Sequence, residues 1–180
     1  VRPGARAREY EDAILWLEQA GLVNKVLLSK APKLPLKAYD DLGTFKLYTL
    51  DLGVLRKLSE LDASILLLPT PAYTEYKGAL AENYILQSLT AQFQMPFRYW
   101  TSGNKAEVDF LLQYINQIYP IEVKADQNIQ GKSLIQYEKL FQPACRIRYS
   151  MLNLKQDGNL LNIPLFLADK TRELLGVINV

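Results

Sequence analysis

The stretch EVDFLLQYINQIYPIEVKA, residues 107–125, constrains the fold more than any other part of the chain. Two runs with strand character, 107–115 and 118–125, flank a polar turn at Asn116-Gln117 and predict a β-hairpin. Strand side chains alternate, so Glu107, Asp109 and Leu111 are expected on one face and Val108, Phe110 and Leu112 on the other. On the second strand Glu122 and Lys124 share a face opposite Ile121 and Val123. The apolar flanks VDFLL and PIEV predict strands covered on both sides. A charge in a covered strand needs a partner, because burying it alone is costly. The plain alternative is a solvated sheet face with a cross-strand Asp–Lys pair of small value.

The rest of the chain supplies the setting. Residues 6–20 have a helical period, with Tyr10, Ala13, Ile14 and Leu17 on one face, and Gly21 follows where a helix-ending glycine belongs. Residues 22–29 and 45–51 are expected to be strands, and 52–62 a helix. A helix followed by a two-stranded ribbon has the form of the end of a winged helix; a generic helix-hairpin packed on the rest fits equally. Pro69 and Pro71 mark a linker over 63–73, so a boundary is placed near residue 70: a winged-helix-like tail and connector over 1–70, and a second domain over 71–180. In that domain a long helix is expected over 74–94, a strand over 97–102, then the hairpin. A helix over 133–141 follows, with Ser133 as N-cap and Gln136 at capping-box spacing. Strands are expected over 146–152 and 160–167, the latter after the turn signal QDGN at 156–159. The order is helix, three strands, helix, strand, with one extra strand: an α/β (α+β) fold with a mixed sheet.

Composition removes whole classes of chemistry. The 180 residues contain no histidine, which excludes Ser-His-Asp and Cys-His catalysis, HExxH metal sites and common zinc fingers. The single cysteine, Cys145, excludes an internal disulfide and is expected to be a buried, inert thiol. A net charge of +2 neither demands nor excludes a polyanion partner. No signal peptide or long uncharged apolar run is present, so a cytoplasmic protein without a membrane partner is expected. The chain opens at Val1 within a basic helical pattern, which suggests a fragment of a longer protein.

The charged positions then suggest a chemistry. Glu82 interrupts an apolar helical stripe formed by Gly78, Leu86, Leu89 and Phe93. Asp109, Glu122 and the Val123 carbonyl can hold a hard divalent cation, Mg²⁺ or Mn²⁺, with Glu82 completing its shell directly or through water. Such a cation lowers the pKa of a bound water, and Lys124 can orient that water or offset charge on a phosphate. For Glu82 the plain alternative is a glutamate at the stripe's edge, reaching solvent.

The arrangement Glu82, Asp109, Glu122-Val123-Lys124 resembles the PD-(D/E)XK nuclease superfamily, which has an αβββαβ core and includes restriction endonucleases, archaeal Holliday-junction resolvases and RecB-type nucleases. A resemblance over almost the whole chain rests on KLYTLDLGVLR, GALAENYILQSL, YWTSGNKAEVDFLL and YPIEVKA. These blocks look like the uncharacterised C-terminal domain of prokaryotic AAA-type ATPases, where a P-loop ATPase and a winged helix precede a nuclease-like domain. The resemblance implies that Glu82, Asp109, Glu122 and Lys124 are catalytic, with Glu82, Asp109, Glu122 and Val123 at the metal. It also implies DNA and the protein's own N-terminal ATPase as partners. The chain carries no GxxxxGK[ST], so it holds no ATP site of its own. Gln136 and Tyr137 are adjacent, so the RecB-type Gln and Tyr one turn apart are not carried over.

Three functions stay open on these residues. A metal-dependent nuclease would use Glu82, Asp109, Glu122 and Lys124. A non-cutting DNA- or protein-binding module would contact phosphates through Arg98, Lys105, Arg146 and Arg148, near Tyr99 and Trp100. A regulatory or oligomerisation domain would use the four charges only as an ion-pair cluster.

Overall fold

A computed structural model describes residues 10–60, 71–103, 106–125 and 131–178. The first helix, α1 (Glu11–Gln19), ends at Gly21, whose φ of +70° permits the reversal into β1 (Val23–Ser29). Ile14 and Leu17 are its partly buried positions, on the face expected from their spacing. After a 3-10 turn, Leu36–Tyr39, β2 runs over Asp40–Thr49, beginning five residues earlier than expected. Its first residues pair with the end of β1 beyond a bulge at Leu27/Leu28. The expected strand end at Asp51 is instead a helix cap: the Asp51 carboxylate accepts the Val54 N–H at 2.8 Å and starts α2 (Leu52–Leu58). Such a cap stabilises by about 1 kcal/mol.

The second half begins with α3 (Pro71–Phe93), whose residues Ile85, Leu86 and Leu89 are buried at helical spacing. Strands β3 (Arg98–Thr101), β4 (Glu107–Tyr114) and β5 (Gln117–Val123) follow. The hairpin turn sits one residue earlier than expected. Ile115 and Asn116 are its central residues, with φ of 45° and 57°, and Tyr114 pairs with Gln117. Two consecutive positive φ values match the strands' right-handed twist. Then come α4 (Lys132–Phe141), β6 (Arg146–Ser150), β7 (Lys155–Asp157), β8 (Leu160–Pro164), a 3-10 segment (Leu165–Lys170) and α5 (Thr171–Ile178). The expected capping box does not form: α4 starts from Gly131, with no side-chain cap, and Ser133 lies inside the helix. The QDGN turn forms as expected, with Gly158 at φ +57° and Asp157 opposite Leu160. The strand expected over 160–167 stops at Pro164.

The eight strands of the described residues make one mixed sheet in the order β2-β1-β3-β4-β5-β6-β8-β7, so the fold is α+β. The ribbon expected as a winged-helix tail is the edge of this same sheet, since β1 runs parallel to β3. The boundary expected near residue 70 falls within 61–70, outside the described residues. One face of the sheet packs under α3 and α5 through Phe110, Leu112, Tyr119, Ile121, Ile147, Tyr149 and Ile163. On the other face Trp100, Val108 and Leu111 pack with Leu134 and Tyr137 of α4. Cys145 is buried as expected, and burial pushes its thiol up. Among the described residues no helix is long and apolar enough to cross a membrane.

Candidate carboxylate–lysine site

Strand β5 lies inside the sheet, between β4 and β6, with α3 packed against one face and α4 against the other. Ile121 and Val123 point under α3, and Glu122, of opposite parity, lies on the α4 side with 2% of its surface exposed. Its Oε1 pairs with the Lys124 ammonium at 2.9 Å, an i, i+2 pair in extended chain that runs one residue past the end of β5. Its Oε2 is buried and has no hydrogen-bond partner. Among the described residues only the Tyr76 hydroxyl shares that condition. A buried acceptor without a donor costs about 1–3 kcal/mol, which a cation or ligand donor would offset.

Asp109 departs from simple alternation. Arg98 pairs with Leu111 and Trp100 with Val108, so β4 has a bulge in which Asp109 and Phe110 together oppose Tyr99. Val108 and Leu111 consequently both pack on the α4 side. The bulge turns Asp109 away from them, toward the charge of Glu82 on α3. Its Oδ2 accepts the backbone N–H of Val123 at 2.7 Å, which ties the bulge to the Glu122–Lys124 segment. Burial raises the Asp109 pKa to about 7, assisted by the charges of Glu82 and Glu122 and opposed by the Val123 N–H and Lys46.

Glu82 is partly buried, and its Oε2 accepts the Tyr48 hydroxyl at 2.8 Å. Burial raises the Tyr48 pKa strongly, with Glu82 next in effect, so this phenol remains a donor. Tyr48 also packs on Phe110 at 5.4 Å between ring centroids. The adjacent Asn83 fixes the strand itself: its Oδ1 accepts the Thr49 N–H at 2.9 Å and its Nδ2 donates to the Thr49 carbonyl at 3.3 Å. Lys46, two residues before Tyr48, lies 5.0 Å over the Tyr99 ring and pairs with Glu107. Burial lowers the Lys46 pKa, but the hydrogen bond and charge of Glu107, with the charges of Glu82 and Asp109, raise it overall. Lys46 and Tyr48 are thus members of the site that the hairpin pattern did not point to. Their signal was the i, i+2 spacing in FKLYTLD, on a strand assigned to another unit.

The expected phosphate-contacting arginines are not equivalent. Arg98, on interior strand β3, is buried: its Nε and a terminal nitrogen donate to both Asp40 oxygens at 2.9 Å, and another nitrogen to the Pro96 carbonyl. Arg146 is also buried, held by Asn159 and by Glu138 at 2.9 Å. Both are structural partners inside the protein rather than part of a phosphate-facing surface, because each lies on a covered strand. Trp100 likewise packs internally, edge-on to Tyr137 and Phe141. Arg148 lies beside Glu122 in the register of β5 and β6. Lys105 lies outside the described residues.

Among the described residues no three carboxylate, thiolate or imidazole groups come together as a metal cage. The donors compatible with a hard cation are Glu122 with its unpartnered Oε2 and the carbonyl of Val123 between Glu122 and Lys124; the expected third ligand, Asp109, is turned by the bulge to the α3 side and is tied to this segment through the Val123 N–H.

Comparison with known families matches residues 77–166 to the model described as Domain of unknown function (DUF4143) and residues 1–65 to Domain of unknown function (DUF8612). No curated protein and no solved structure matches the chain. The first match takes in half of the 180 residues, with Glu82, Asp109, Glu122 and Lys124 all inside it, and the chain belongs to the family of the Domain of unknown function (DUF4143).

Proposed function

We propose that the chain is the nuclease-like part of an AAA-type ATPase, and that it hydrolyses DNA phosphodiester bonds of the PD-(D/E)XK kind with Mg²⁺ or Mn²⁺. The observation that carries this reading is Glu122: a buried carboxylate paired to Lys124 through one oxygen, with the other oxygen buried and unpartnered. Glu122 and the Val123 carbonyl would hold the cation, with Asp109 fixing that segment from the α3 side through the Val123 N–H. Bound there, the cation supplies Lewis-acid stabilisation of a phosphate oxygen and a more acidic water. Lys124 stands beside Glu122, where it orients the attacking water or offsets charge on the phosphate. The water oxygen bonds to phosphorus, one P–O ester bond breaks, and the leaving oxygen takes a proton, giving a phosphate monoester and a hydroxyl end. Glu82, held by Tyr48, supports the site from α3.

A second reading is a non-cutting binding or regulatory module coupled to the ATPase. It is favoured by the lack, among the described residues, of three converging carboxylates.

Mn²⁺ titration followed by melting temperature separates the two. A ligand that binds only the folded state raises stability by about 2.7 kcal/mol at a hundred times its Kd. The nuclease reading expects Mn²⁺ to raise the melting temperature of the wild type but not of Glu122→Gln. It expects cleavage of linear or branched DNA that Lys124→Ala abolishes without unfolding. A wild type that neither gains stability from Mn²⁺ nor cuts DNA with either metal overturns it.

A further inference from the structure

On the α4 side of the sheet, away from Glu122, three segments meet around an open cavity of about 320 Å³. They are the loop after β1 with Lys33, the hairpin turn with Asn116 and Gln117, and the end of α4 with Tyr137, Phe141 and Gln142. Ile118, also in the wall, packs on the α4 side of β5, on the strand that carries Glu122. Strands rise about 3.3 Å per residue, so this wall lies about 13 Å from Glu122 along β5, apart from the carboxylate–lysine site.

Tyr137 is the informative wall residue. It is 1% exposed, and its ring packs against Trp100 and Phe141 at 5.3 and 4.8 Å between centroids. Its hydroxyl makes no hydrogen bond among the described residues, yet it is not sealed off as Glu122 Oε2 is. A hydroxyl that is neither bonded nor sealed reaches the cavity that Tyr137 lines. Burial raises its pKa well above the usual phenol value, so it stays a donor. A polar group this deep without a partner is costly unless a ligand accepts from it.

The other polar groups define the ligand's chemistry. Among the described residues Lys33 is the one charged side chain in the wall; it is exposed and pairs with no carboxylate. No acid lines the cavity, so its charge is positive. The side-chain amides of Asn116, Gln117 and Gln142 are exposed and unbonded, and each offers donors beside an acceptor. Phe141 adds an aromatic ring that is 37% exposed. Aromatic surface, amides with donors and acceptors, and one cation together match a flat base that carries a phosphate. An acidic peptide would use Lys33 but leave the amide acceptors and the ring idle.

We infer that this cavity binds a nucleoside phosphate, with the phosphate at Lys33, the base against Phe141 and its edge on the amides, and the Tyr137 hydroxyl donating to the ligand. The assignment goes beyond the nuclease reading and does not depend on it. The volume lies at the lower end of small-ligand sites, about 300–1,000 Å³, which suits a single nucleotide. A free nucleotide and an unpaired nucleotide of a strand share this chemistry. Asparagine and glutamine amides pair with the adenine edge, so adenine nucleotides are the probes.

Isothermal titration calorimetry with 5′-AMP and with oligodeoxyadenylate, in metal-free buffer, tests the site, with melting temperature as the folding control. Binding of 5′-AMP assigns a free nucleotide, and binding of oligodeoxyadenylate alone assigns a strand. Lys33→Ala is expected to weaken binding by about tenfold. Tyr137→Phe, which removes one hydrogen bond, is expected to weaken it by about fivefold. Both variants are expected to keep the wild-type melting temperature, because neither group has a partner inside the protein. The site is overturned by a wild type that binds neither probe, by either folded variant binding like the wild type, or by a peptide of Asp and Phe that binds as tightly.

Discussion

Asp109 carries the electrostatic tension of the site. Its pKa, raised to about 7 first by burial and then by Glu82, lies well above the usual carboxylate value of about 4. The folded state therefore holds a proton that the unfolded state has released across that interval. The sign follows directly: the stabilisation is complete below pH of about 4 and is lost as pH rises through about 7. In metal-free buffer, urea denaturation at a series of pH values is expected to show the wild type losing stability across this window. Asp109→Asn is expected to remove the decline and to be the more stable protein at pH 8. Parallel pH curves for the two proteins would remove the electrostatic account. Arg98 shows the opposite arrangement, a buried charge fully answered by Asp40. Nothing in the local sequence distinguishes it from an exposed arginine, because its partner lies 58 residues away.

At the scale of elements, β2 and α3 act as one unit. Asn83 binds the backbone of Thr49 in both directions, while the neighbouring Glu82 takes the Tyr48 hydroxyl. Asn83 is buried, so Asn83→Ala leaves the Thr49 N–H without its acceptor. A loss of about 1–3 kcal/mol in stability is expected from urea denaturation. A change below the error of that measurement would mean that β2 is held to α3 by packing alone. The same elements explain what the hairpin pattern missed. A period of two places Asp109 with Leu111, but the bulge at Asp109 and Phe110 adds a residue and moves Asp109 to the α3 side. No residue type announces a bulge, since it is set by how β3 and β4 are paired.

At the scale of the whole molecule, the N-terminal ribbon is an edge of the main sheet and delivers Lys46 and Tyr48 to the carboxylates. A chain beginning at residue 71 would uncover the β3 edge and the core around Tyr99 and Phe110, against which Val26 and Tyr48 pack. Unpaired strand edges with apolar faces associate. The truncated chain is expected to aggregate, or to lack a cooperative melting transition, where the full chain has one. A monomeric truncated protein with a sharp transition would show that the ribbon is an independent addition.

Local pattern determined most of the elements: the helix around Glu82, the hairpin, the pairing of Glu122 with Lys124 by i, i+2 spacing, the QDGN turn and the buried cysteine. These follow from periodicity, turn chemistry and the cost of burying charge, which act over a few residues. Tertiary structure alone decided which face Asp109 takes, that Arg98 and Arg146 are internal, that Tyr48 and Lys46 join the site, and that the ribbon extends one sheet. Each of these depends on a partner distant in sequence, and the choice among distant partners is made by packing and burial once the strands are assembled.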